Sequence, residues 1–226
     1  MTKIFRIQAK EVLSAMPKKA LNTEKWLLDK KKEVKRMKKV FIPLAGAIIE
    51  DASKDAFELV GQDDQIDVDN PEARKFLEEN TIKFSSAVTD ETNTILRKQL
   101  ADGIEVGEGI PELRKRVEEV FVGMEKYRSE RIARSEVIRA TNWATEQAYI
   151  ESKVVEGKAW LTAMDERVCT TCGPMDGREI PLKENYFNQG DVIIGSDGSE
   201  TIADYGDIGF PPLHPNCRCT IIPIVK

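Results

Sequence analysis

The chain has 226 residues, 41% of them hydrophobic and 32% charged, with 34 lysines and arginines against 39 aspartates and glutamates. That is enough apolar material for an ordinary core, in one domain or in an extended helical part with a compact second one. No run of eighteen apolar residues marks a membrane-spanning helix, and the start, MTKIFRIQAK, lacks the apolar stretch and small-residue cleavage site of a secretory signal.

A reducing cytoplasm is therefore the expected place of synthesis. There, clustered cysteines are more often metal ligands or redox groups than structural disulfides. The net charge of −5 hides an asymmetry: residues 1–40 hold thirteen basic and four acidic side chains, a surplus of nine that leaves −14 for the rest. The run KKKEVKRMKK places Lys30, Lys31, Lys32, Lys35, Arg36, Lys38 and Lys39 together. It suits contact with nucleic-acid phosphates or an acidic partner surface, and equally a solvated helix face. The acidic remainder argues against a dedicated DNA-binding protein.

In chain order, residues 24–40 set Leu27, Val34, Met37 and Phe41 on one side of a predicted helix. A second helix follows, with Pro43 in its first turn and apolar residues from Ala45 to Val60 at helical spacing. The acidic stretch GQDDQIDVDN reads as an exposed loop without the spacing of a calcium site. Asn70 and Pro71 cap and open a further helix, another covers ETNTILRKQLADG and ends at Gly103, and a short one begins at Pro111. The helix from Ser129 to Ile150 carries a face of small residues, Ala133, Val137, Ala140, Ala144 and Ala148, beside a charged set of Arg134, Glu136 and Arg139.

After Gly157 the pattern changes to short strands and loops. A strand runs from Trp160 to Met164, Asp-Gly at 176–177 makes a turn before a short extended run, residues 185–209 form a glycine-rich loop or hairpin, and CRCTIIPIVK closes as a β-branched strand. The predicted fold class is α+β, mainly helical first and then a small mixed module stapled at a Cys/His loop.

That staple comes from two short segments. VCTTCG holds Cys169 and Cys172, and LHPNCRC holds His214, Cys217 and Cys219, which together are all four cysteines and the one histidine of the chain. Two cysteines separated by two residues can bind a zinc ion from a tight turn, and ligands from a distant loop complete a tetrahedron. Five candidates compete for four positions: Cys169, Cys172, His214 and Cys217 form the preferred set, with Cys219 as the substitute. Packed thiols or a disulfide between the loops are the alternatives. A zinc deaminase is excluded because Asn216 stands where its catalytic glutamate would follow the histidine. One histidine also excludes two-histidine zinc hydrolases, and no catalytic residue is assigned.

The three segments RIARSEVIRATNWATEQAY, WLTAMDERVCTTCGPMDGREI and GFPPLHPNCRCTIIPI, in that order, resemble the phage head morphogenesis family typified by Mu F-like minor head proteins. The resemblance covers roughly residues 85–226, leaving residues 1–84 as a helical N-terminal arm with a basic head for docking to portal or capsid. On the family pattern, Arg134 and Glu136 match the arginine-containing helix, Trp160, Asp165, Cys169 and Cys172 the strand and knuckle, and Pro212, His214, Cys217, Arg218 and Cys219 the terminal motif. The resemblance implies a noncatalytic virion protein of the head interior, assembled in the host cytoplasm without a membrane. Its implied partners are the portal protein, the major capsid or scaffolding protein, and packaged DNA. An ADP-ribosyltransferase-like site around Arg134, Ser135 and Glu136, or a zinc-stapled nucleic-acid-binding module, are the competing expectations.

Overall fold

The computed structural model describes residues 1–16, 23–163, 165–204 and 206–225. Among them are five α-helices followed by five short strands, which is the α+β class expected. The chain divides into two compact units, each built from discontinuous stretches: Met1–Pro43 with Lys75–Ala133, and Leu44–Arg74 with Arg134–Lys226.

The helices are longer than periodicity indicates. Helix α1 (Thr2–Ala15), which the sequence reading did not anticipate, and a 3₁₀ turn (Thr23–Trp26) precede α2 (Lys30–Leu59). The segments read as separate helices on either side of Pro43 are therefore one, and Pro43 lies inside it. An interior proline removes a backbone hydrogen bond and costs about 3 kcal/mol in an isolated helix. Burial of Met37 and Phe41 before it and of Ile49, Ala56 and Phe57 after it outweighs that cost.

Helix α3 (Pro71–Glu105) likewise fuses two predicted helices. Asn70 Oδ1 accepts the Ala73 N–H at 2.7 Å, so the cap and the proline start stand as expected. Gly103 does not end the helix. A Cβ there would lie 2.6 Å from Glu108 Oε2 and Leu113 Cδ2, so this glycine permits close approach. The left-handed residue after the helix is Gly107, with φ +78°. Helix α4 (Ile110–Gly123) has proline in its first turn as predicted, and a π-helical turn (Met124–Arg128) carries it into α5 (Ser129–Ser152).

In the first unit, Phe5, Val12, Trp26, Met37, Leu96, Val117 and Phe121 belong to one buried cluster, in which Phe41 and Phe84 pack with ring centroids 4.5 Å apart. Two polar anchors lie within it. Asn93 accepts the Leu28 N–H at 2.9 Å and donates to the Leu28 carbonyl at 3.0 Å. Arg128 donates to Thr92 Oγ1 and the Val88 carbonyl, each at 3.1 Å, and to Glu91 at 2.6 Å. Burial lowers the pKa of the Arg128 guanidinium, partly offset by Glu91.

In the second unit, β1 (Val155–Leu161) is the central strand of an antiparallel sheet ordered β2–β1–β5, with β2 (Glu179–Pro181) and β5 (Thr220–Val225) on its edges. It starts five residues before the predicted Trp160; Met164, the predicted end, lies outside the described residues. Gly157 and Lys158 concealed the strand. A Cβ on Gly157 would sit 3.0 Å from the Ile180 carbonyl, while Lys158, 1% exposed, is buried through its ion pair with Glu146 of α5. Trp160 is fully buried and packs edge-on against Tyr186 at 5.0 Å.

Strands β3 (Val192–Ile194) and β4 (Glu200–Ile202) form a hairpin, one of the two forms expected for residues 185–209, and the Pro211–Pro212 peptide is cis. On α5, Ala140, Ala144 and Ala148 are buried, but Ala133 and Val137, expected beside them, are exposed. The burying neighbours cover only the later turns of that face.

Candidate metal centre

The loop after β1 and the loop before β5 meet because β1 and β5 are paired, with Leu161 opposite Thr220. In the first loop the Cys172 N–H donates to Cys169 Sγ at 3.3 Å, and the Gly173 N–H closes the turn on the Cys169 carbonyl at 3.0 Å. In the second, the Cys217 N–H reaches the His214 carbonyl at 3.2 Å and the Cys219 N–H reaches Cys217 Sγ at 3.5 Å. Backbone donors aimed at sulfur favour thiolates, the form that binds metal.

His214 Nε2 lies 3.0 Å from Cys169 Sγ and 3.1 Å from Cys172 Sγ. Its Nδ1 is 2.9 Å from the Pro215 carbonyl. A carbonyl only accepts, so Nδ1 carries the proton and Nε2 presents its lone pair to the sulfurs, the tautomer a metal requires. Cys172 Sγ and Cys217 Sγ are 3.8 Å apart. Two sulfurs at about 2.3 Å from a tetrahedral zinc would be separated by about 3.8 Å. Two overlapping groups result, Cys169–Cys172–His214 and Cys172–Cys217–Cys219, and either could hold a metal ion. Cys172 belongs to both.

The sulfurs share protons unequally. Hydrogen bonding with Cys172 and Cys219 pulls the Cys217 thiol down, while hydrogen bonds with Cys217 and Cys219, and then burial, push Cys172 upward.

The other predicted residues separate into three groups. Arg134, Asp165 and Arg218 gather around the centre. Arg134 Nη1 donates to Asn216 Oδ1 at 2.7 Å, and Arg218 binds both oxygens of Asp165 at 2.6 and 2.7 Å. The Arg218 hydrogen bonds hold the Asp165 carboxyl well below the usual carboxylate range. Trp160 and Pro212 are buried scaffold, and Glu136 faces Arg139 at 3.9 Å. The basic run lies in the other unit. There Lys30 pairs with Asp90, Lys32 and Arg36 with Glu11, Arg36 also with Glu33, and Lys38 with Glu78. Lys31, Lys35 and Lys39 are exposed and make no ion pair among the described residues.

Two asparagines were missed. Asn142 on α5 donates to the Cys219 carbonyl at 3.3 Å and accepts from the Ile221 N–H at 3.1 Å and Thr220 Oγ1 at 3.0 Å, tying the start of β5 to the helix. Asn216 adopts φ +68° and receives Arg134 while its N–H donates to Ser135 Oγ at 2.9 Å. An asparagine inside a helix and one between His214 and Cys217 were the available signals, since asparagine favours local hydrogen bonding and tolerates the left-handed region.

The family model described as Phage Mu protein F like protein matches residues 94–222, which takes in α4, α5, β1, β2, the start of β5 and every cysteine and histidine of the centre. The chain belongs to the Phage Mu protein F like family. Its Cys/His centre thus lies wholly within the family region, whereas the basic run of α2 lies outside it. Among curated proteins, the NAD(+)–arginine ADP-ribosyltransferase EFV of Enterococcus faecalis is 26% identical over 161 residues, covering 70% of this chain. The chain spans 30% of that relative's length. No solved structure matches. Among the described residues no helix is long and apolar enough to cross a membrane.

Proposed function

We propose that the protein is a noncatalytic minor head protein of a tailed phage. It assembles in the host cytoplasm and resides in the virion head. Residues 85–226 form its family module and residues 1–84 an arm that docks on the portal, beside the major capsid or scaffolding protein. The observation that carries this reading is the Mu F-like match over residues 94–222. In the module, zinc held by Cys169, Cys172, His214 and Cys217, with Cys219 beside them, staples the two loops and supplies stability rather than chemistry. The N–H···S bonds and the His214 tautomer support that assignment.

The arm contributes Lys31, Lys35 and Lys39, spaced four residues apart along α2 at intervals of about 6 Å. This row fits an acidic partner surface or packaged DNA. Deleting the gene from an inducible lysogen and imaging the particles tests the assembly role: malformed or empty heads are expected, and normal filled heads would overturn it. If loss of residues 1–40 abolishes head association and leaves nucleic-acid binding intact, the DNA role falls.

The named activity of the Enterococcus faecalis relative favours a second reading, an ADP-ribosyltransferase-like enzyme. Against it, Arg134 and Ser135 both hold the Asn216 loop. NAD hydrolysis by the purified chain, abolished by Glu136→Gln, would establish it.

A further inference from the structure

The β3–β4 hairpin carries aliphatic side chains on both of its faces. Its register pairs Val192 with Ile202, Ile193 with Thr201 and Ile194 with Glu200. Side chains alternate along a strand and directly paired residues share a face, so Val192, Ile194, Ile202 and Glu200 project together. Ile193, on the opposite face, is buried, whereas Val192, Ile194 and Ile202 are 52%, 63% and 58% exposed. The solvated face of an antiparallel sheet is ordinarily polar, and adjoining exposed aliphatic side chains mark an interaction surface. Backbone hydrogen bonds of 2.9 Å hold the hairpin at both ends, from the Ser196 N–H to the Thr170 carbonyl at its tip and from the Ala203 N–H to the Asp191 carbonyl at its base. Docking on such a face requires little further ordering.

Charge identifies the partner. Between Lys183 and Arg218 stand six carboxylates, Glu184, Asp191, Asp197, Glu200, Asp204 and Asp207, and no lysine or arginine. The unit that contains the hairpin has 11 lysines and arginines against 23 aspartates and glutamates, whereas the first unit has 23 against 16. Two copies therefore offer each other surfaces of opposite sign. In the first unit Lys31, Lys35 and Lys39 are exposed without an ion pair among the described residues, at intervals of about 6 Å along α2. Side chains two apart on a strand stand about 6.6 Å apart, so the two repeats match. Lysine stems cover aliphatic surface while their ammonium groups reach the carboxylates around it. Val40, 47% exposed beside Lys39, adds apolar area.

We propose that the outward face of the hairpin docks on the Lys31, Lys35 and Lys39 row of a second copy of this chain. Because the two surfaces differ, each pairing leaves one hairpin and one row unused, and association continues into a ring or a chain. DNA competes for the lysines alone, since the acidic rim of the hairpin repels phosphate. Self-association rests on the reading of the lysine row as a docking face, but it is measured on isolated protein, so it and the role in head assembly can fail separately.

The test is sedimentation of the full, tag-free chain at about 50 and about 500 mM salt over a range of concentrations. Species larger than a dimer are expected at the lower salt, dispersing to monomers at the higher. Lys31→Ser/Lys35→Ser/Lys39→Ser and Ile194→Thr/Ile202→Thr, all at exposed positions, should keep the parent's melting temperature. Each should stay monomeric at about ten times the concentration at which the parent assembles. Mixed in equal amounts, the two variants should form a dimer and go no further, since one intact row then meets one intact hairpin. A parent that stays monomeric at low salt, either variant assembling as the parent does, or a mixture that stays monomeric would each overturn the proposal. Duplex DNA bound through the lysines of a monomeric parent would assign the row to nucleic acid, and a different head protein held by the hairpin of a monomeric parent would assign the face to that protein. Both results would also overturn self-association.

Discussion

Arg134 donates to the side chain of Asn216 at 2.7 Å across 82 residues of chain, fixing a left-handed residue between His214 and Cys217. The adjacent Ser135 accepts that residue's N–H. Asn216→Ala loses the Arg134 bond and strains a positive φ, so a loss of about 1–2 kcal/mol in denaturant-derived stability is expected. Metal affinity should fall with it. Asn216→Gly, which relieves the backbone strain alone, should recover part of the stability and less of the affinity.

The metal assignment predicts one zinc per chain by mass spectrometry of tag-free protein. Cys169→Ser/Cys172→Ser should lose that zinc together with several degrees of melting temperature, and a chelator should reproduce the loss in the parent. Metal-free protein with the same melting temperature as the parent would leave four packed thiols in place of a staple.

Asp165 gives a pH dependence with a defined sign. Its carboxyl is held below its ordinary 3.8 by Arg218, so its contribution to stability is fully present above that value and is lost as pH falls below it. Asp165→Asn should therefore lower the melting temperature at neutral pH and show a smaller further drop on acidification than the parent. Parallel pH profiles for the two proteins would contradict the geometry.

Asn142 satisfies two backbone groups of β5 and its approach, the buried Ile221 N–H and the Cys219 carbonyl. Asn142→Ala leaves both without their partner and should cost about 2–4 kcal/mol. Hydrogen exchange at Ile221 should accelerate more than exchange in α1, because the two lie in different units.

The basic run contains two kinds of residue, and mutation should separate them. Arg36 reaches Glu33, which is fully buried and also receives Gln8 at 2.7 Å. Arg36→Gln should therefore destabilise by about 2–3 kcal/mol. Replacing Lys31, Lys35 and Lys39 with serine should leave stability within about 0.5 kcal/mol. That triple change should instead weaken salt-dependent association with capsid components or DNA, read by binding at two ionic strengths.

Residue type and local spacing made part of this protein legible. The pair Cys169 and Cys172, the pair His214 and Cys217, the Asn70 cap and the glycine-rich hairpin each follow from chemistry within a few residues, and the ordered motifs around them pointed to the family. Tertiary structure decided the rest. Pro43 and Gly103 are helix breakers in isolation, yet each lies inside a long helix, because burial along α2 and the close approach of Leu113 to α3 outweigh local propensity. Lys158 disguised the strand that carries Trp160, since its burial depends on Glu146 twelve residues earlier. The division of seven basic residues into four with an ion pair and three without one among the described residues, and the meeting of Arg134, Asp165 and Arg218 near the cysteines, depend on partners up to 82 residues away. No spacing rule reaches that far: the chain brings such groups together only when its apolar surfaces pack and β1 pairs with β5.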